Sequence, residues 1–283
     1  MKPTKDQIRE YYAAALDRCL EAFSRLDEKE LNKKASDHWT AREHIASLVA
    51  TMEKETLPLT RQALAGEQAN IPGFAKRSDL TGFRQGAMEE VRDLPVPELL
   101  QRIRAAFEEH IAILDSLSDS DLDKPANSPG WDRPGTLRDL FFASYLFLPG
   151  QYQEIRHVAK KKMAHWIEGS TPDQVNYHMG RIFHYMPLIF NSAKGADLQA
   201  NYQFTMEGDG GGQWAIEISG GKAVAQTGAI ESSDIEIKTK PQLWIDLTTG
   251  DLNAVWAITT KKVKLGGNAG LALKLGDLFS AEG

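Results

Sequence analysis

The side chains able to do chemistry are sparse in this sequence and poorly spaced for it. Asp119-Ser-Asp-Leu-Asp123 sets carboxylates at alternate positions, as at the start of a calcium loop. Such a loop needs Gly at its sixth position and a bidentate Glu at its twelfth. Those positions hold Lys124 and Gly130, so a solvated inter-helix loop is expected. His157 and His165 are eight residues apart, and His178 and His184 six. Neither spacing puts two imidazoles on one helix face as a metal pair, which needs i,i+4 or similar. Cys19, the single cysteine, lies in register with Ile8, Tyr12, Ala15, Phe23 and Leu26, so a buried structural thiol is expected. One cysteine excludes an internal disulfide and fits a reducing compartment. Gly266-Gly-Asn-Ala-Gly270 reads as a turn and cap before the last helix, where a helix N-terminus could also receive an anionic head group. No nucleophile elbow, phosphate loop or dinucleotide fingerprint is present, so no catalytic residue is named.

The elements that would position these groups fall into two kinds. The first ~165 residues have helical periodicity. Helix one is predicted at about 4–34. Helix two starts at Thr40, where Thr40-Ala-Arg-Glu43 makes a capping box, and continues through Ile45, Leu48 and Met52. Helix three spans about 97–117, with Leu99, Ile103, Phe107, Ile111 and Leu114 on one face. Helix four starts near Thr136 and carries Leu137, Phe141, Tyr145, Leu148, Tyr152 and Ile155, with Pro149-Gly150 expected to kink it. Four such helices predict a four-helix bundle. The long connection from Ala65 to Leu94 reads as a crossover or lid.

A boundary is expected near Glu168-Gly-Ser-Thr171, with a helix starting at Thr171-Pro172-Asp173. The period then switches to two. Gln199 to Met206, Gln213 to Ser219, Lys222 to Thr227 and Asp234 to Thr239 read as antiparallel strands, with hairpin turns at Gly208 to Gly212 and Gly220-Gly221. The fold class is therefore α+β: a four-helix bundle over 1–168, then an antiparallel-sheet α/β sandwich over 171–283.

With 283 residues, 42% hydrophobic and 25% charged, the chain has the profile of a two-domain globular protein. A net charge of −6 gives no footprint for nucleic acid. The one basic run, Lys160 to Lys162, reads as a solvated helix face. No apolar run approaches the ~20 residues of a membrane span. The start, Met1 to Gln7, lacks an apolar signal segment, and Ala281-Glu-Gly283 differs from the Ser-Lys-Leu peroxisomal address, so a cytoplasmic location is expected.

The ordered features from Thr171 to Phe279 resemble the sterol-carrier-protein family of lipid-binding domains. They run from a helix ending in Phe190-Asn191 through the two hairpins, the acidic step Ser233-Asp234, a helix at Gln242 to Thr248, and Gly250-Asp-Leu-Asn253. The ending, Lys261-Lys-Val-Lys-Leu-Gly-Gly267 before an apolar helix, completes the likeness. The resemblance implies an apolar tunnel for a fatty acid, sterol or similar molecule. On it, Phe204, Ile216, Leu243, Leu247, Val255, Trp256, Leu271 and Leu275 are the expected cavity residues, with Val224 also facing inward.

The helical half resembles DinB-like bundles, including the N-terminal domain of mycothiol-dependent maleylpyruvate isomerases, which also carry a sterol-carrier-like second domain. The local match is Trp39-Thr-Ala-Arg-Glu-His-Ile-Ala-Ser-Leu48. The family implies a metal-binding His where this chain has Ser47. The remaining ligand positions, aligned on Glu154-Ile155-Arg156, fall at Phe147 and Gln151. Zinc takes imidazole, thiolate or carboxylate, so these are degenerate metal positions, and His44 lies one turn from the slot. No metal and no cofactor are expected. The expected function is non-enzymatic carriage of an apolar molecule; the alternative is a thiol-dependent isomerase or transferase with a metal in the bundle. A homodimer through the bundle fits either, and no residue decides it.

Overall fold

The computed structural model describes residues 2–279. Backbone packing divides them into two compact units, one ending at Trp166 and the other starting at Ile167. The predicted C-terminal domain extends to 283, and residues 280–283 lie outside those described.

The first unit is helical. Its first helix, α1 (Lys5–Phe23), opens on a Thr4–Gln7 capping box and buries Ile8, Tyr12, Leu16, Cys19 and Phe23. The expected helix to residue 34 stops early because a second capping box, Asp27 with Glu30, starts α2 (Glu28–Leu31) on a new axis. The predicted Thr40–Glu43 box does cap α3 (Ala41–Thr51). A π turn (Met52–Thr56) follows, in which the Leu57 N–H reaches back to the Met52 carbonyl. It stands just before Pro58, which removes a donor from the next helix, α4 (Leu57–Ala65). The connection read as a crossover or lid contains a helix of its own, α5 (Leu80–Glu89). Then come α6 (Val96–Ser116), the short pair β1 (Pro125–Ala126) and β2 (Gly135–Thr136), and α7 (Leu137–Ala159). α7 continues through Pro149. Helices α1, α3, α6 and α7 pack against one another, and α5 covers α3.

A polar chain runs through this core. His110 is fully buried, stacked on Phe141 at 4.3 Å. Tyr12 Oη lies 3.0 Å from its Nδ1 and Thr60 Oγ1 3.0 Å from its Nε2. Thr60 donates its own hydroxyl proton to the Thr56 carbonyl, so the imidazole donates from Nε2 and accepts the Tyr12 proton at Nδ1. Burial lowers the pKa of His110 to about 3. Cys19 is buried, its thiol pushed up by desolvation, and Sγ points at the Leu148 carbonyl, 3.6 Å away.

The second unit is α+β. The predicted cap at Thr171 starts α8 (Pro172–Tyr185). The strands are β3 (Ala200–Met206), β4 (Gly212–Ser219), β5 (Lys222–Thr227) and β6 (Ile235–Thr239). The helices α9 (Pro241–Thr248) and α10 (Ala254–Thr259) precede β7 (Lys264–Gly267), and α11 (Gly270–Leu278) closes the unit. The sheet order is β5-β4-β3-β6-β7.

Two expectations about this sheet are corrected. It is mixed rather than antiparallel: β3 and β6 pair in parallel, Tyr202 opposite Ile235. After β5 the chain crosses past β4 and β3 to reach the free side of β3, and Gln203 holds that crossing by accepting the Ile230 N–H at 2.9 Å. On β5, Val224 faces solvent, 59% exposed, and Ala223 and Ala225 pack on the core instead. All three are apolar, so alternation alone left the phase of that strand undetermined.

Asp234 pins three strands. Its carboxylate accepts the Asn201 N–H at 2.7 Å, and its own N–H donates to the Asn201 carbonyl. Its carbonyl accepts the Asn268 N–H beyond β7. Gly267 makes this approach feasible: φ is +78°, and a Cβ there would stand 2.3 Å from the Asp234 carbonyl oxygen. Gly267→Ala should therefore cost about 1–3 kcal/mol in denaturant unfolding followed by tryptophan fluorescence. Gly250→Ala, with φ +76° but open space around it, should cost less. Equal costs would mean that the Asp234 contact carries no weight.

Candidate functional site

In the helical unit, α3 and α7 bring Ser47 and Gln151 together, two of the positions where the bundle resemblance implies a metal ligand. Ser47 and His44 are one turn apart on α3, and Phe147 and Gln151 one turn apart on α7. Ser47 Oγ lies 3.4 Å from Gln151 Oε1 and donates to the His44 carbonyl at 2.8 Å. His44, the residue one turn from the expected slot, is the centre of the cluster. Its Nδ1 is 2.6 Å from Gln151 Oε1 and its Nε2 is 3.0 Å from Ser36 Oγ. With Gln151 accepting, Nδ1 carries the proton and Nε2 accepts from Ser36. Trp39 packs edge-on at 5.4 Å and donates its indole N–H to Gln85. Phe147 is half-buried under the Arg84 guanidinium, 5.5 Å from its ring centre, and Arg84 holds the buried Glu55 of the π turn at 3.0 and 3.2 Å.

His44 is only 4% exposed, and its pKa falls to about 4. Burial is the largest cause; the bond to Gln151 and the nearby Glu43 oppose it. The cluster is thus neutral: one imidazole, one amide and two hydroxyls. A catalytic zinc needs about three ligands from imidazole, thiolate or carboxylate. Here the single imidazole has both nitrogens engaged. Among nearby carboxylates, Glu43 caps α3 through Thr40 and Glu55 is clamped by Arg84. Among the described residues, no group of three or more His, Cys, Asp or Glu side chains is placed to hold a metal ion. The residues present do not fit the metal that the bundle resemblance implies.

In the C-terminal unit the interior is a continuous apolar layer, with Phe183 of α8 in its middle. Phe183 stacks on Trp214 at 4.9 Å and on Trp244 at 5.6 Å, and meets Phe204 at 4.8 Å. Trp244 meets Phe204 edge-on at 5.2 Å. Tyr202 donates its hydroxyl to the Leu271 carbonyl, tying α11 to the sheet, and burial raises its pKa to about 12. Of the expected cavity residues, Phe204, Ile216 and Leu271 are buried in this layer, with Leu247 and Leu275 packed against it. Leu243 is half-buried. Val255 and Trp256 face solvent on α10, 64% and 48% exposed, with Lys262 Nζ 4.2 Å from the Trp256 ring.

Trp244 is the residue the sequence pattern missed. Pro241, Trp244 and Ile245 form the buried stripe of α9, at i, i+3 and i+4, while Leu243 and Leu247 lie to its side. Either stripe is apolar in a helix this short. Trp244 Nε1 is buried without a hydrogen-bond partner.

Residues 11–144 match the family described as the DinB superfamily, and residues 191–280 match the SCP-2 sterol transfer family. The first match lies within the helical unit and the second within the α/β unit. It is similar in fold to mycothiol-dependent maleylpyruvate isomerase, at 10% identity and a TM-score of 0.58 over 89% of this chain and 91% of that one. A variant of that isomerase gives 0.59 over 94% and 93%, again at 10% identity. At that identity the likeness concerns fold alone. The peroxisomal multifunctional enzyme A of Dictyostelium discoideum is 35% identical over 92 residues, 32% of this chain. That stretch is 18% of the relative's length. Among the described residues no helix is long and apolar enough to cross a membrane.

Two predictions follow from the His44 cluster. Because its folded pKa is depressed, neutral His44 contributes its full stability above the unfolded value of ~6.5 and loses it as pH falls toward ~4. His44→Gln should flatten the decline of the urea midpoint between those values; an unchanged slope would show that His44 titrates normally. Second, wild-type protein should carry no stoichiometric zinc on elemental analysis, whereas the triple variant Ser47→His, Phe147→Glu, Gln151→His should bind about one. Zinc in the wild type would overturn the reading that the residues present do not hold a metal; none in the triple variant would mean that these positions do not converge on a metal slot.

Proposed function

We propose that the C-terminal unit binds and carries an apolar small molecule of fatty-acid or sterol type, and that the helical unit, with its long helices as a four-helix bundle, is a scaffold or partner-docking element. The observation that carries this reading is the SCP-2 sterol transfer match over 191–280, which takes in β3, β4, α9 and α11 of the apolar layer, with α8 just ahead of it. Phe204, Ile216, Leu243, Leu247, Leu271 and Leu275 are the proposed cavity residues, with Val255 and Trp256 on its solvent side. Burying ~300–400 Å² of ligand at ~25 cal/mol/Å² gives roughly 8–10 kcal/mol. Association costs at least ~4 kcal/mol of this, which leaves a Kd of tens of micromolar or weaker and loose specificity.

A second reading, a thiol-dependent isomerase or transferase, is supported by the whole-chain fold likeness to maleylpyruvate isomerase. It lacks a counterpart for thiolate stabilisation at Ser47, Phe147 and Gln151, and we place it second. Displacement of a fluorescent fatty-acid or sterol analogue separates the two. Saturable displacement with no thiol-dependent turnover is expected. No binding at high micromolar ligand, or turnover with a low-molecular-weight thiol, would overturn the carrier reading.

A further inference from the structure

We propose that the indole N–H of Trp244 is the polar anchor of this ligand site, and that the ligand it selects is an otherwise apolar molecule bearing a neutral acceptor: a hydroxyl, ketone or ester oxygen. The proposal rests on the carrier reading above.

Trp244 is 5% exposed and its Nε1 has no acceptor within hydrogen-bond distance. Buried polar atoms are almost always paired, and an unpaired donor carries its full desolvation penalty. Tyr202 and Gln203 of this unit obey that rule. The Tyr202 hydroxyl has the Leu271 carbonyl, and the Gln203 amide has the Trp214 and Phe204 carbonyls and the Ile230 N–H. Phe or Leu would fill the Trp244 position of α9 without an orphan donor. The rings around it, Phe183 and Phe204, offer carbon faces only. An acceptor carried on a ligand satisfies the N–H where the protein does not.

The same surroundings fix the charge of that acceptor. A buried carboxylate needs a counter-cation. Arg181 is the cation of α8 nearest in sequence to Phe183, but it is two positions away, off the face that Phe183 presents, and lies over Tyr177. A neutral oxygen needs no such partner.

Trp244→Phe keeps an aromatic ring and removes the donor. The test is displacement of N-phenyl-1-naphthylamine from the full chain by 1-dodecanol, dodecanoate and dodecane. Wild type should prefer dodecanol to dodecane by about five- to tenfold, the worth of one hydrogen bond, with dodecanoate no tighter than dodecanol. In the variant, dodecanol should weaken by that factor while dodecane is unchanged. Equal weakening of dodecanol and dodecane, no weakening, or a preference for dodecanoate would overturn the anchor while leaving the carrier reading standing. If none of the three binds wild type at high micromolar concentration, both fall. Should the variant not fold, 15N-indole spectra of wild type serve instead. One indole N–H should move downfield with dodecanol and not with dodecane, and the absence of such a shift overturns the proposal.

Discussion

Removal from water obliges every buried polar atom to find a partner within the protein, and both units are organised around meeting that obligation. In the helical unit the buried His110 has Tyr12 on one nitrogen and Thr60 on the other, with Thr60 passing its own proton to the Thr56 carbonyl. His44 repeats the arrangement with Gln151 and Ser36. Both imidazoles are held neutral by burial, and a neutral imidazole needs one donor and one acceptor. In the C-terminal unit, Gln203 and Tyr202 each close a gap between elements distant in sequence, the first holding the chain crossing after β5 and the second holding α11.

What could be read from the sequence was whatever is decided locally. Thr40 with Glu43, and Thr171 with Pro172, announced helix starts because a cap is satisfied within four residues. Alternation along Tyr202, Phe204 and Met206 gave the inward face of β3 because side chains switch faces at every residue. The order of elements after Thr171 carried the family resemblance for the same reason.

What could not be read depends on partners brought from afar or on choices that are locally equivalent. The parallel pairing of β3 with β6 follows from a chain crossing, not from either strand's own pattern. Ala223, Val224 and Ala225 allow two phases of β5, and only packing on α8 and β4 selects one. The helix boundaries were unreadable where a break came from a second cap at Asp27, and where the 65–94 connection contains a helix. At the bundle cluster, Ser47 and Gln151 were located by family alignment, yet Ser36, which completes the coordination of His44, lies in a loop that periodicity does not describe. Trp244 was missed because a two-turn helix offers two apolar stripes and its sequence does not rank them.

The two interiors therefore differ in what they leave open. At the α3–α7 cluster every functional atom described has a protein partner. A dication there would meet an imidazole already committed on both nitrogens, an amide oxygen already shared by His44 and Ser47, and carboxylates already tied to Thr40 and Arg84. Recruiting Glu55 would break a two-point bond to Arg84 and leave that cation over Phe147 without its anion. A knot satisfied from within gains little from a ligand, because each new contact must displace an existing one. The Trp244 indole is in the opposite condition: its aromatic neighbours stabilise the ring and do nothing for the N–H. Binding there adds a hydrogen bond without breaking one, and this asymmetry is why the C-terminal layer, rather than the helical cluster, is where a ligand has most to gain.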